Sequence, residues 1–201
     1  MTKQRIDIMV DIETLGRSPS SPIVQISAVK FDITTGCIYD SFDVTIDVSQ
    51  STTIEGGTLL WWLQTDAELL KTLMERGQES GLSEKDAIQQ FCTWAMEKPI
   101  NAVYQPKVTD VFLWGNGILF DNRLIQSKCQ QHNIPYPIFY RNDRDMRTLV
   151  ELAALKTGNG SEFEYRSHFE SIGTRHNALD DCLFQVKVLC QAYNDVMGIN
   201  A

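Results

Sequence analysis

Three observations predict an α/β fold for this chain. Its first quarter holds three strand-like runs with short connections. Its middle passes directly from a short apolar run through a glycine turn into a helix. It closes on a long amphipathic helix. At 201 residues, 43% hydrophobic and 22% charged, the sequence fits one domain spanning 1–201 with a sizeable core.

The first strand is expected over Arg5–Ile12, where Ile6, Ile8, Met9, Val10 and Ile12 form a mostly apolar run. Thr14 to Pro22 is rich in turn residues. Ile23–Phe31 and Cys37–Ile46 read as further strands, with Thr34-Thr35-Gly36 as a hairpin turn, so the sheet should begin antiparallel. From Leu59 the pattern becomes helical. Thr65-Asp66-Ala67-Glu68 has the form of a capping box and should open a helix through Met74, with Gly77–Gly81 as a break. Ser83-Glu84-Lys85-Asp86 is a second cap signal. It precedes the stripe Ala87, Ile88, Phe91, Cys92 and Ala95, and Pro99 should close that helix. Val111–Trp114 is a buried strand, Gly115-Asn116-Gly117 the turn, and Phe120–His132 the helix that follows. A short strand over Ile138–Tyr140, a helix over Arg144–Lys156 and a mobile polar loop over Thr157–Arg175 are expected next. The last helix, Asn177 to Val196, carries Leu179, Cys182, Val186, Leu189, Cys190 and Tyr193 on its apolar face.

Composition narrows the function classes. No apolar run is long enough to span a membrane, and charges near the N-terminus interrupt any signal-peptide core, so a cytoplasmic location is expected. Five cysteines without a close pair argue against a disulfide framework or a zinc site. Four of them lie in helix-like stretches, where free Cys acts as a small buried hydrophobe. The net charge of −8 does not announce a nucleic-acid binder. Charge is uneven, however: residues 1–100 hold 8 basic and 15 acidic side chains, and residues 101–201 hold 10 and 11.

The chemistry begins at Asp11-Ile12-Glu13, where the first strand ends. Side chains two apart on a strand share a face, so both carboxylates project together. They repel unless a proton or cation lies between them, and a hard divalent cation is one remedy; a solvent-facing acidic strand end is the other reading. Asp121 opens a helix just past the middle strand and can share that sheet edge, although an Asp there also compensates a helix dipole. His176, Asp180 and Asp181 cluster where the last helix begins, and each admits an ordinary capping role.

Together, Asp11-Ile-Glu-Thr14, Gly117-Ile-Leu-Phe-Asp121 and His176-Asn-Ala-Leu-Asp-Asp181 resemble the three exonuclease motifs of the DEDDh family of 3′→5′ exonucleases. The motifs span most of the chain in the family's order. The sister subgroup has a Tyr four residues before the last Asp, and position 177 is Asn. Asp11-Ile-Glu-Thr-Leu-Gly16, Trp61-Trp62, Trp114-Gly-Asn-Gly117 and Arg144-Asp-Met-Arg-Thr148 look like the bacteriophage and bacterial branch that includes RNase AS-like enzymes. Thr14-Leu15-Gly16 separates the chain from oligoribonucleases, in which a different sequence follows the first Glu.

The resemblance implies a ribonuclease-H-like mixed central sheet flanked by helices. It implies that Asp11, Glu13, Asp121 and Asp181 hold two Mg²⁺ or Mn²⁺ ions and that His176 is the general base. The expected partners are 3′ ends of single-stranded DNA or RNA, cut to nucleoside 5′-monophosphates; the branch also allows a homodimer. Asp180 is expected to serve the helix terminus. Thr14, Leu15, Gly16, Asn116, Arg144 and Asp145 are candidate substrate contacts. Trp61 or Trp62 is a candidate to stack on a terminal base, with helix core as the alternative, and Arg147 joins Arg144 and Asp145 as a possible charged wall. Three other readings stand beside this one: a non-catalytic module binding nucleic-acid ends or a protein, a structural metal site, and an enzyme acting on nucleotides. The His at its motif position and the full set of carboxylates favour the nuclease.

Overall fold

The computed structural model describes residues 5–98 and 110–199. Strand β1 (Ile6–Thr14) runs through the middle of the sheet and sorts its side chains by alternation. Ile6, Ile8, Val10 and Ile12 enter one core, while Met9 enters a second core on the opposite face, the face that Asp7, Asp11 and Glu13 share by period. β2 (Ile23–Phe31) is buried along its length and pairs antiparallel with β1, Ile12 opposite Ile26. β3 (Ile38–Thr45) pairs antiparallel with β2. The hairpin turn at Thr34-Thr35-Gly36 is closed by Asp32 N–H to Cys37 O at 3.0 Å and Gly36 N–H to Asp32 O at 2.8 Å.

On its other side β1 pairs parallel with β4 (Val111–Gly115), Val10 opposite Gly115. β5 (Asp143–Asp145) pairs parallel with β4, giving the order β3-β2-β1-β4-β5. Helices α1 (Gly56–Thr65), α2 (Ala67–Ser80), α3 (Glu84–Met96) and α4 (Asp121–His132) cover the Ile8 and Val10 face. Helices α5 (Met146–Thr157), α6 (Glu162–Ser167) and α7 (Ala178–Met197) cover the Met9 face. The result is the mixed, helix-flanked sheet expected from the sequence.

Several boundaries differ from the sequence expectation, each for a local reason. α2 continues past Met74 to Ser80 because Gly77 is a packing contact and not a break: a Cβ there would collide with the Ile46 carbonyl. Its N-cap is Asp66, which accepts from Leu69 N–H at 2.9 Å, while Thr65 ends α1. Ser83 caps α3 as expected; Pro99 lies outside the described residues. Ile138–Tyr140 forms no strand. The paired segment is Asp143–Asp145, anchored by Leu113 N–H to Asn142 O at 3.1 Å and Asn142 Nδ2 to Val111 O at 2.9 Å. The helix expected from Arg144 therefore starts at Met146, with Asp145 capping it through Thr148 N–H at 3.0 Å. The stretch expected as a mobile loop contains α6, whose Tyr165 is buried and donates to Asp195 Oδ2 at 2.6 Å. Cys92, Cys129, Cys182 and Cys190 are buried free thiols.

Candidate active site

Parallel pairing of β1 and β4 brings the ends of both strands to one edge of the sheet. Asp11 and Glu13 occupy the end of β1, half-buried, and Asp121 opens α4 beside them at 5% exposure. The turn between β4 and α4 is tight. A Cβ at Gly115 would collide with Asn122 Oδ1 and lie 3.4 Å from Asp121 Oδ2, so only glycine lets α4 start this close to the strand. Asn122 Nδ2 holds that start, donating to Asp143 Oδ1 at 2.7 Å and Leu113 O at 3.1 Å.

The start of α7 supplies the remaining groups. Asn177 caps the helix, accepting from Asp180 N–H at 3.3 Å. Asp180 turns toward the preceding loop and accepts from Thr174 N–H at 2.7 Å, whereas Asp181 faces the cleft. His176 sits in the left-handed backbone region at φ 64°, which is rare for a residue with a side chain. Its N–H donates to Asp181 Oδ2 at 3.1 Å, and Trp61 meets its ring edge-to-face with centroids 5.2 Å apart. Glu13, His176 and Asp181 bring one ligand atom each within 4.8 Å of one another. Asp11 and Asp121 stand outside this tight trio, each with a protein partner: Asp11 accepts from Gln185 Nε2 at 2.7 Å, and Asp121 from the Ile12 N–H.

These carboxylates repel one another in a poorly solvated place. Burial, then Asp121 and Asp181, raise the Asp11 carboxyl well above its ordinary range, against the Gln185 hydrogen bond. Burial, then Asp11, Asp181 and Asp121, do the same to Glu13. Burial pushes Asp121 up to about 7 despite two backbone N–H donors and the nearby Arg147, and burial raises Asp181. Four carboxylates left short of positive charge, with an imidazole beside them, form a donor set that fits a divalent cation.

The remaining candidates divide. Trp62 is 1% exposed and is core, donating through Nε1 to Thr14 O at 3.0 Å; Trp61 is 44% exposed. Trp61, Thr14, Glu55 and Phe120 line a pocket of about 540 Å³ next to Glu13. Leu15 is buried, and Gly16 packs flush against Ser21 and Glu55, so both shape the loop and do not face the cleft. Asn116 lines the cleft and accepts from Arg166 Nη1 at 2.9 Å. Arg144 is drawn off instead: it lies over the Phe112 ring at 4.9 Å and donates to Asp143 O at 2.9 Å. Asp145 works from behind, accepting from Ile118 N–H at 3.1 Å and thereby holding the turn that precedes Asp121. Of that charged set only Arg147 lines the cleft. Gln185 and Phe163 also line it without having been singled out, together with Arg166 and Arg175. Gln185 had a signal, since it falls one helical turn after Asp181; Phe163 and Arg166 fell in the stretch read as a loop.

Residues 6–193 match the model of a family described as the 3′-5′ exoribonuclease Rv2179c-like domain. No curated protein matches the chain. Among solved structures, cell-death related nuclease 4 (CRN-4) aligns with TM-score 0.69 and 16% identity, covering 96% of this chain and 64% of that one. The nuclease domain of 3′hExo, a DEDDh family member bound to rAMP, aligns at 0.65 and 14%, covering 96% and 94%. Exonuclease I from Methylocaldum szegediense aligns at 0.68 and 17%, with 96% of this chain spanning 43% of that one. At these identities the structures show a shared fold. The chain therefore spans under two thirds of CRN-4 and under half of that exonuclease I.

Proposed function

The chain belongs to the 3′-5′ exoribonuclease Rv2179c-like family, within the DEDDh 3′-5′ exonucleases, and from that premise we propose how it cuts. It removes nucleotides one at a time from the 3′ end of single-stranded nucleic acid and releases nucleoside 5′-monophosphates. The observation that carries this reading is the convergence of Asp11, Glu13, Asp121 and Asp181, drawn from three distant segments, with an imidazole beside them and no equal positive charge.

Two Mg²⁺ or Mn²⁺ ions held by those four carboxylates would neutralise the scissile phosphate and make a water acidic enough to be deprotonated near neutral pH. His176 accepts the proton of the attacking water. The new bond forms between water oxygen and phosphorus, the bond from phosphorus to the upstream 3′-oxygen breaks, and that oxygen leaves with a proton from solvent. The backbone bond to Asp181 and the edge-to-face contact with Trp61 hold His176 at the cleft in its left-handed conformation. Gln185 fixes one Asp11 oxygen, leaving the other for a cation. The 540 Å³ pocket beside Glu13 suits a nucleoside monophosphate, with Trp61 and Phe120 against the terminal base. No helix among the described residues is long and apolar enough to cross a membrane.

Digestion of matched 5′-labelled single-stranded DNA and RNA, with Mn²⁺, Mg²⁺ or EDTA, tests this beside Asp11→Ala. The expected result is a ladder growing from the 3′ end that needs metal and vanishes in the variant. The faster polymer identifies the preferred sugar. Both strands left intact by metal-loaded wild type would overturn the reading.

A further inference from the structure

The cleft has a second wall that the hydrolytic chemistry does not use. The cleft that holds the four carboxylates and His176 has a volume of about 870 Å³, and beyond them it is walled by the Gly117–Phe120 turn, the start of α5, α6 and the loop before His176. The Trp61 pocket carries Glu13 and Glu55 with Arg17. On the α6 side the cleft carries Arg147, Arg166 and Arg175 with Glu162, facing the carboxylates Asp11, Glu13, Asp121 and Asp181 across the same cavity.

Arg147 makes no side-chain hydrogen bond or ion pair among the described residues. Its guanidinium lies against Gly117, 3.6 Å from where a Cβ would stand. Arg166 is half-buried and steered by a single hydrogen bond, Nη1 to Asn116 Oδ1 at 2.9 Å; burial disfavours its charge, Glu162 and Asp181 favour it, and Arg147 works against it. Arg147 and Arg166 repel each other, and a phosphate reached by both guanidiniums would relieve that repulsion beyond what Glu162 supplies. Two large apolar side chains stand out on the same groove, Leu119 at 86% and Phe163 at 76% exposure. α6 presents Phe163 and Arg166 firmly, because Ser161 caps it and Tyr165 ties it to Asp195.

We propose that Phe163, Arg147 and Arg166 form a subsite for the nucleotide on the 5′ side of the scissile bond, its base against Phe163 and its phosphate on the two guanidiniums. The subsite rests on the exonuclease reading and adds a direction to it: the strand leaves toward α6. It also makes the enzyme prefer a polymer end over an isolated nucleotide ester. The base contact is a stacking face, so it accepts any base.

Phe163→Ala, Arg166→Gln and Arg166→Lys test the subsite on two substrates, a 5′-labelled single-stranded oligonucleotide and the 4-nitrophenyl ester of thymidine 5′-monophosphate, which lacks a 5′ neighbour. In the first two variants kcat/KM should fall about tenfold more on the oligonucleotide than on the ester, and Arg166→Lys should recover part of that difference. Oligonucleotide binding to Asp11→Asn protein, followed by anisotropy, should lose about 0.7 from its log–log salt slope when Arg166→Gln is added. Equal losses on both substrates with an unchanged salt slope would make α6 structural and overturn the subsite alone. Wild type that cleaves neither substrate would overturn the exonuclease reading, and the subsite with it, before any variant is measured.

Discussion

Asp7 and Asp11 lie four residues apart on one face of one strand, and they live in opposite circumstances. Asp7 is 2% exposed, yet Arg5 donates to both of its oxygens at 2.7 Å and Trp114 Nε1 donates at 2.6 Å. Asp11 has Gln185 for a partner and is otherwise surrounded by Glu13, Asp121 and Asp181, with its carboxyl raised by burial and by those charges. A buried carboxylate with complete partners stabilises a fold. A buried group of carboxylates without them costs stability until a cation arrives, and chains keep such a group for what it binds.

The strongest way to break this comparison is to neutralise one member of each set. Asp7→Asn should destabilise the protein by about 2–3 kcal/mol in urea unfolding, because it removes the charge of the pair and sets an amide NH₂ against Arg5 Nε where Oδ2 accepted, while activity per folded molecule stays near wild type. Asp121→Asn should do the reverse. Activity should fall by about a thousandfold or more, and the metal-free protein should melt no lower than wild type, since a repelling charge has gone. Adding Mn²⁺ should raise the melting temperature of wild type and of Asp7→Asn but not of Asp121→Asn. A destabilised Asp121→Asn beside an inactive Asp7→Asn would reverse the roles assigned to them.

A finer test concerns the single bond Asp11 does have. Gln185→Leu removes that donor together with a buried Gln185 Oε1 that has no hydrogen-bond partner of its own, so folding should change little. Metal affinity, read by calorimetric titration of Mn²⁺, should weaken about 10- to 100-fold, as expected when a ligand loses its orienting partner. Unaltered affinity would leave Gln185 a packing residue.

The smallest effect belongs to Glu55, a well-partnered carboxylate at the surface. N–H groups of Arg17 and Ser18 and the Ser21 hydroxyl hold it down to about 2. A carboxyl lowered on folding adds stability above its ordinary range, near 4.5, and loses it as pH falls toward 2. Melting curves of wild type and Glu55→Gln should therefore differ slightly at pH 6 and converge toward pH 2; a gap independent of pH would point to packing instead.

The sequence made some of this legible and hid the rest for identifiable reasons. The alternation of β1 and the turn after β4 carried the strand ends, and with them Asp11, Glu13 and Asp121, because strand period and glycine turns are local signals. β5 was misplaced because its three residues, Asp-Arg-Asp, are polar and pair only through β4. α6 was invisible for a similar reason: its one buried anchor, Tyr165, finds Asp195 thirty residues away. Arg144 and Arg147 look equivalent on paper. The edge strand turns the first onto Phe112, and the helix turns the second into the cleft.

The hydrogen bond from Gln185 to Asp11 spans 174 positions of sequence, which bears on the order in which the chain is made. A ribosome delivers residues 11, 13 and 121 long before 176, 181 and 185. Domains fold as they emerge, from the N-terminal side. A chain synthesised only as far as α4 thus carries three of the carboxylates but neither the proposed base nor Asp181. The proposed site is therefore complete only once α7 has docked across the sheet.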